Sequence, residues 1–209
     1  MIHNSPALVR ASCDGDVATV RKLIEAGADA NSTDEHGMGP LLTFCPAVVE
    51  YLLSQGADPN RQANESGAPV LAGVAYMNNV ECVRLLLKGG ADANAVKDDT
   101  RETALHSCLA KPSGDQHDVV NLLLEHRADP NRRTNPGVKT PAFWRDVRTR
   151  GETPLHRAAA YAAEETIRLL LDTGADKAMR DANGDSPQSW ASWHWRPKPL
   201  IELLNPNEE

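Results

Sequence analysis

The chain has 209 residues, with 22 Lys and Arg against 29 Asp and Glu and a net charge of -7 at pH 7. That acidity weighs against bulk affinity for nucleic acid or anionic lipid; no apolar run approaches the roughly 18 residues a membrane span needs, and Met1 to Ser5 lacks an apolar signal core, so the expected setting is cytoplasmic. Cys13, Cys45, Cys82 and Cys108 form no C-x-x-C pair and have no His at ligand spacing, so the reading has no disulfide framework and no metal site, with Cys82 and Cys108 packed in the core.

In chain order, an apolar stripe at i, i+3, i+4 recurs at Val20/Leu23/Ile24, Val49/Leu52/Leu53, Val83/Leu86/Leu87, Val120/Leu123/Leu124 and Ile167/Leu170/Leu171. This is helical periodicity with one buried face. Each stripe runs into one phrase: Gly27-Ala28-Asp29-Ala30-Asn31, Gly56-Ala57-Asp58-Pro59-Asn60, Gly90-Ala91-Asp92-Ala93-Asn94, Arg127-Ala128-Asp129-Pro130-Asn131 and Gly174-Ala175-Asp176-Lys177-Ala178. The Ala-to-Ala steps are 29, 34, 37 and 47 residues. A unit of roughly 33 residues with insertions and deletions marks a solenoid. Four of the phrases open on Gly, which suits the left-handed residue that closes a helix. Downstream lie helix starts: Thr103-Ala104-Leu105-His106 and Thr153-Pro154-Leu155-His156, with weaker versions at Gly39-Pro40, Ala68-Pro69 and Ser186-Pro187. There a hydroxyl can cap and Pro at the first helical position forfeits no bond.

On these motifs the chain resembles an ankyrin repeat protein from about Ser5 to Leu204. The resemblance implies an all-α solenoid of about six helix-turn-helix repeats, with the turns between repeats projecting as fingers. It also implies that His106 and His156 tie those turns by ring-to-backbone bonds. The whole chain, 1-209, reads as a single domain: an N-terminal cap repeat at 1-33, internal repeats at 34-180 and a C-terminal cap repeat at 181-204. Asn31, Asn60, Asn94 and Asn131 each lie eight after a Leu, a spacing that resembles asparagine hydroxylation sites of eukaryotic ankyrin proteins and that follows from the repeat itself.

Departures from the repeat carry whatever is individual. Repeat two is about four residues short, so its helix pair is truncated around Phe44-Cys45-Pro46, and repeat four is lengthened at Lys111 to Asp115. From the phrase's last residue to the next helix start the counts are 8, 8, 9, 22 and 8. One long finger, 132-150, therefore lies between repeats four and five. It holds six basic residues and one acidic, a net of +5 in a chain of -7. Asn135-Pro136-Gly137 signals a turn, and Thr140-Pro141 is expected to begin a short helix through Val147. Phe143 and Trp144 sit among Arg145, Arg148 and Arg150, residue types that anchor interfaces. At the C-terminal end Trp190, Trp193 and Trp195 fall within six residues. They read either as the cover of the last repeat or as the wall of a groove.

The motifs of nucleotide, metalloprotease and serine-hydrolase sites are absent from the sequence, so no catalytic residue and no cofactor is expected. The resemblance implies a non-catalytic module that binds a protein on its concave groove. Its expected contact residues are Phe143, Trp144, Arg145, Arg148, Arg150, Arg157, Trp190 and Trp193, and the expected partner is a protein with an acidic patch, bound by a monomer. Two alternatives stay open: a single-stranded nucleic-acid binder, in which bases stack on Trp and Phe, and a regulator of an enzyme. A third, an enzyme with a site under the finger built from Arg157, His194 and the Trp cluster, lacks an evident acid-base pair.

Overall fold

The computed structural model describes residues 5–62, 67–111, 116–140 and 147–207. Paired short helices alternate with projecting turns: α1 (Ser5–Cys13) and α2 (Val17–Glu25), α3 (Pro46–Ser54), α4 (Val70–Tyr76) and α5 (Val80–Lys88), α6 (Ala104–Cys108) and α7 (His117–Glu125), α8 (Pro154–Tyr161) and α9 (Glu164–Asp172), α10 (Pro187–Trp193) and α11 (Lys198–Leu203). The first helices α4, α6, α8 and α10 pack in one row, and α2, α3, α5, α7 and α9 in a second. This is the expected all-α solenoid. Each helix is too short to persist alone, and stability comes from the face it shares with neighbours.

The apolar stripes fill the seam between the rows. Val20, Val49, Leu52, Val83, Leu86, Val120, Leu123, Ile167 and Leu170 are all fully buried. Cys82 and Cys108 lie among them, and burial pushes their thiols up to about 11 and about 12, so both remain protonated packing groups. The helix starts behave as motif chemistry requires. Thr103 N–H donates to His106 Nδ1 at 3.2 Å, which leaves Nε2 as the protonated nitrogen facing the Glu152 carbonyl at 3.3 Å. His156 repeats the arrangement, with Nε2 at 3.0 Å from the Asp185 carbonyl. Each ring thus ties its own turn to the next one.

The recurring Asn ties successive units as well. The Asn31, Asn60, Asn94 and Asn131 side chains each donate to the carbonyl of the next phrase's first residue and accept its Asp amide, at 2.7–3.0 Å. The result is a ladder of two-pronged amide rungs, one between each pair of successive phrases. Ala178 takes the fifth position without such a side chain.

Repeat two is truncated as its length dictates. Residues 39–45 form turns, and the chain enters α3 directly at Pro46. Leu41 and Thr43 are buried where a first helix would lie, and Thr43 Oγ1 donates to the Ser12 carbonyl at 2.6 Å. The lengthened link of repeat four falls on residues 112–115, outside the described residues.

The finger departs from expectation. Instead of a helix starting at Thr140, Lys139–Thr140 (β1) pairs antiparallel with Val147–Arg148 (β2), Lys139 opposite Arg148 and Thr140 opposite Val147. The two arms converge as a ribbon because Gly137, in the left-handed region at φ 81°, turns the chain so that its N–H meets the Thr149 carbonyl at 2.7 Å. Both ends of the predicted helix are strand; residues 141–146 lie outside the described residues.

The repeats give two stability tests. Asn94→Ala removes both bonds of one rung and is expected to lower the urea unfolding free energy by about 1–3 kcal/mol. Arg127 sits at φ 63° where the other phrases carry Gly at φ 84–94°, so Arg127→Gly is expected to raise it by about 0.5–1 kcal/mol.

Candidate functional site

The root of the finger is built around a buried charge. Arg157, on α8, is fully buried. Its Nη2 donates to Glu102 Oε1 and Glu152 Oε1, both at 2.6 Å, its Nε donates to Glu152 Oε1 at 3.1 Å and its Nη1 to the His106 carbonyl at 2.9 Å. The carboxylates fill their remaining acceptor sites with donors from the finger. Thr140 Oγ1 donates to Glu102 Oε2 at 2.8 Å beside Thr100 Oγ1 at 2.9 Å. Thr134 Oγ1 and the Arg150 N–H donate to Glu152 Oε2 at 2.8 and 2.6 Å. Burial alone would push both carboxyls up, and the guanidinium and these donors outweigh it. Glu102 is held below its ordinary range and Glu152 at about 2. Burial and then the Arg157 charge depress His106 to about 4, so its ring stays neutral in the joint.

Arg157 is therefore a correction to the expected contact set. It was expected on an accessible helix face; instead it lies behind the finger and locks α6, α8 and both finger arms together. The enzymatic alternative loses the cation it relied on. Sequence reasoning missed Glu102 and Glu152, although a signal was present. Only the two repeats flanking the long finger place Glu directly before the Thr of the helix start, and Thr134 and Thr140 supply matching hydroxyls from the insert.

Above this joint the outer side of the finger meets the last helix pair. Arg148 and Arg150 point to one side of the extended arm and Thr149 to the other, following the two-residue alternation of extended backbone. Thr149 is buried, its hydroxyl donating to the Asn135 carbonyl. Arg148 is exposed and donates from Nη1 to the Gly137 carbonyl at 2.7 Å. Arg150, half-buried, carries its guanidinium 5.8 Å from the Trp190 ring centre and 6.0 Å from that of Trp193. Between the finger arm and the Ala182–Asn183 turn lies an open cleft of about 450 Å³, which Arg148 and Arg150 line.

Trp190 is the second correction. It is buried, its indole N–H donates to Asp181 Oδ2 at 3.1 Å, and its ring meets His156 edge-on at 5.6 Å. It braces the last repeat and cannot itself be touched. Trp193 is 53% exposed and Trp195 94%. Phe143, Trp144 and Arg145 lie outside the described residues. Of the eight expected contact residues, the described surface thus presents Arg148, Arg150 and Trp193 side by side, with Arg157 and Trp190 supporting them from within. No group of three or more His, Cys, Asp or Glu side chains converges among the described residues, and none of their helices is long and apolar enough to cross a membrane.

Comparison with known proteins matches the same units. A family model for ankyrin repeats in three copies covers residues 44–134, and a single ankyrin repeat model covers residues 150–182. Neurogenic locus notch homolog protein 1 of Mus musculus is 30% identical over 148 residues, which is 70% of this chain and 5% of that protein. The transient receptor potential channel pyrexia of Drosophila melanogaster is 33% identical over 183 residues, 85% of this chain and 17% of the channel. The mouse B-cell lymphoma 3 protein homolog is 27% identical over 192 residues, 88% of this chain and 38% of that protein. The chain thus spans well under half the length of these relatives. Among solved structures, a chain from the complex of a predatory endopeptidase of Bdellovibrio bacteriovorus with an immunity protein has the same fold. Its TM-score is 0.77 at 22% identity, covering 98% of this chain and 99% of that one.

The buried joint makes its own prediction. Arg157→Met leaves two buried carboxylates without their cation and is expected to cost about 3–5 kcal/mol at pH 7. Both Glu152 and His106 have folded values below their ordinary 4.5 and 6.5. Their stabilisation is present above those ordinary values and is lost as pH falls through the folded ones. Wild-type stability is therefore expected to decline from pH 6.5 to 4 through His106 and from 4.5 to 2 through Glu152. In Arg157→Met the orphaned carboxyls titrate higher, so its deficit relative to wild type should shrink on acidification. Denaturant unfolding across this range checks both; a deficit independent of pH would contradict the buried pairing.

Proposed function

Because this chain belongs to the ankyrin repeat family, we propose that it is a non-catalytic module that binds a protein partner at its C-terminal end, on the surface shared by the finger and the last helix pair. One observation carries the reading: the Arg150 guanidinium lies across the Trp190 and Trp193 rings. That contact joins a strongly basic insert and an exposed indole into one surface on an otherwise acidic chain. Arg and Trp are the side chains that most often dominate interface energies, and the charge contrast favours a partner with an acidic patch. The scaffold below is shared family architecture, whereas this surface is made of what differs. Fingers and first helices together form the concave groove in which the partner is placed here, with the chain acting as a monomer.

A second reading makes the partner an enzyme that the module holds in check. It draws on the fold neighbour, which comes from a complex of an endopeptidase with an immunity protein. Both readings use the same surface and differ in the identity of what is captured.

Charge reversal is the cleaner test, because deleting the finger would strip Thr140 from Glu102 and disturb the fold. Arg145→Glu combined with Arg148→Glu is expected to weaken partner capture from a lysate of the source cells at least tenfold. The loss should be smaller at high salt, where screening has already weakened the charge contacts, and the melting temperature should stay within ~2 °C of wild type. Capture that survives nuclease and reversal alike would move the partner elsewhere on the solenoid, and capture abolished by nuclease would favour single-stranded nucleic acid. Recovery of a hydrolase whose activity falls on addition of the module would select the second reading.

A further inference from the structure

Arg150 differs from Arg133, Arg148 and Arg157, the cations beside it at the finger root, in what surrounds it. Arg157 has two carboxylates, Arg133 donates to the Gly151 and Arg180 carbonyls, and Arg148 donates to the Gly137 carbonyl. Among the described residues, no carboxylate or carbonyl accepts from the Arg150 guanidinium; it lies 5.8 and 6.0 Å from the two indole ring centres, and its charge, after burial and Arg196, helps hold the His194 ring below its ordinary pKa. The neighbouring carboxylates are already engaged. Asp181 uses one oxygen for the Asn183 and Asp185 amides and the other for the Trp190 indole N–H. Glu152 takes the backbone N–H of Arg150 and the Arg157 guanidinium. A half-buried guanidinium beside aromatic rings, with its five donors unspent among the described residues, is arranged to receive an anion of matching fork geometry.

Its surroundings define the anion further. Arg148 stands on the same side of the extended arm two residues away, roughly 6.5–7 Å along the backbone. Its Nη1 is committed to Gly137, which fixes the direction of the side chain at the edge of the cleft. Trp193 offers an exposed ring face beside Arg150. Two cations at a two-residue spacing on one side of the arm, with an apolar plate beside the second, match an extended chain whose carboxylates lie two residues apart and whose next side chain on the same side, two residues further on, is apolar.

Resting on the protein-binding reading above, we propose that the Arg148–Arg150 edge is a seat for an extended acidic segment of the partner. One side-chain carboxylate forks onto Arg150 in front of the indoles, a second, two residues along, reaches Arg148, and an apolar side chain two residues from the first in the other direction lies on Trp193. The finger root supplies the rigidity. The Arg150 N–H is held by Glu152 and its carbonyl accepts from the Ala182 N–H at 2.6 Å, so the side chain is presented from a backbone fixed on both sides. Less ordering is then required on binding.

The test is a titration of the full chain with the blocked peptide acetyl-Glu-Gly-Glu-Gly-Leu-amide, whose Glu and Leu side chains share one side when extended, following the tryptophan indole N–H signals by NMR up to ~5 mM, where a millimolar site is visible. The expected result is a saturating shift of the Trp193 and Trp190 signals. Arg150→Gln should raise the dissociation constant at least tenfold, and Arg150→Lys should fall between, because Lys keeps the charge and loses the fork. The Arg150 side chain holds no hydrogen bond that folding needs, so these variants should unfold as wild type does; Arg148→Gln, with a smaller loss, tests the second contact independently. Equal binding of the Gln-for-Glu peptide, no effect of Arg150→Gln, the absence of a saturating shift, or the same shifts with sodium acetate at equal concentration would each overturn the proposal. A partner lost on reversal of Arg145 and Arg148 but kept by Arg150→Gln would sink the carboxylate seat and leave the protein-binding reading intact. If wild type captures no partner, that reading fails while the peptide titration still judges the seat.

Discussion

The contact on which the functional end of this molecule depends is the Arg157 guanidinium shared between Glu102 and Glu152. Two carboxylates and a cation removed from water are costly, and pairing repays that cost only when every remaining donor and acceptor is met. Here the missing partners come from the finger, through Thr134, Thr140 and the Arg150 amide. The finger and the stacking of α6 on α8 are therefore one structure. An insert of this length would ordinarily be expected to move, and buried charge-assisted bonds to hydroxyls turn it into a ribbon with a fixed root.

The rest of the solenoid is held by weaker, repeated devices. Apolar stripes close the seam between the helix rows, the His rings of two helix starts tie successive turns, and the Asn ladder ties successive phrases. Because each unit touches only its neighbours, local changes stay local. Repeat two forgoes its first helix and fills the place with Leu41 and Thr43.

The proposed function rests on how that insert meets the last helix pair. The buried side of the finger arm, at Thr140 and Thr149, bonds to the scaffold, and the outer side, at Arg148 and Arg150, faces the cleft where recognition is proposed. Alternation along an extended chain separates the two roles within neighbouring residues. Trp190 divides in the same way from Trp193: the first spends its indole N–H on Asp181 and closes the core, while the second, three residues on, remains half in solvent.

The sequence by itself determined the scaffold. Helical periodicity, the closing Gly, the Thr-x-x-His starts and the short second repeat are local or nearest-neighbour signals, and a solenoid contains little else, so the helices, their pairing and the place of the insertion were legible. The finger's charge and the tryptophan cluster were legible as well. What the tertiary structure alone decided is which of those residues face water. Arg157 and Trp190 sit at helix positions that carry Ala or Ser in other repeats, and their register gave no warning that a long insert would fold back over them. Thr140 is strand rather than the start of a helix, and its hydroxyl bonds to Glu102, 38 residues earlier in the chain. Burial of a charge depends on partners far away in sequence, and only the folded chain brings Glu102, Thr140, Glu152 and Arg157 to one point.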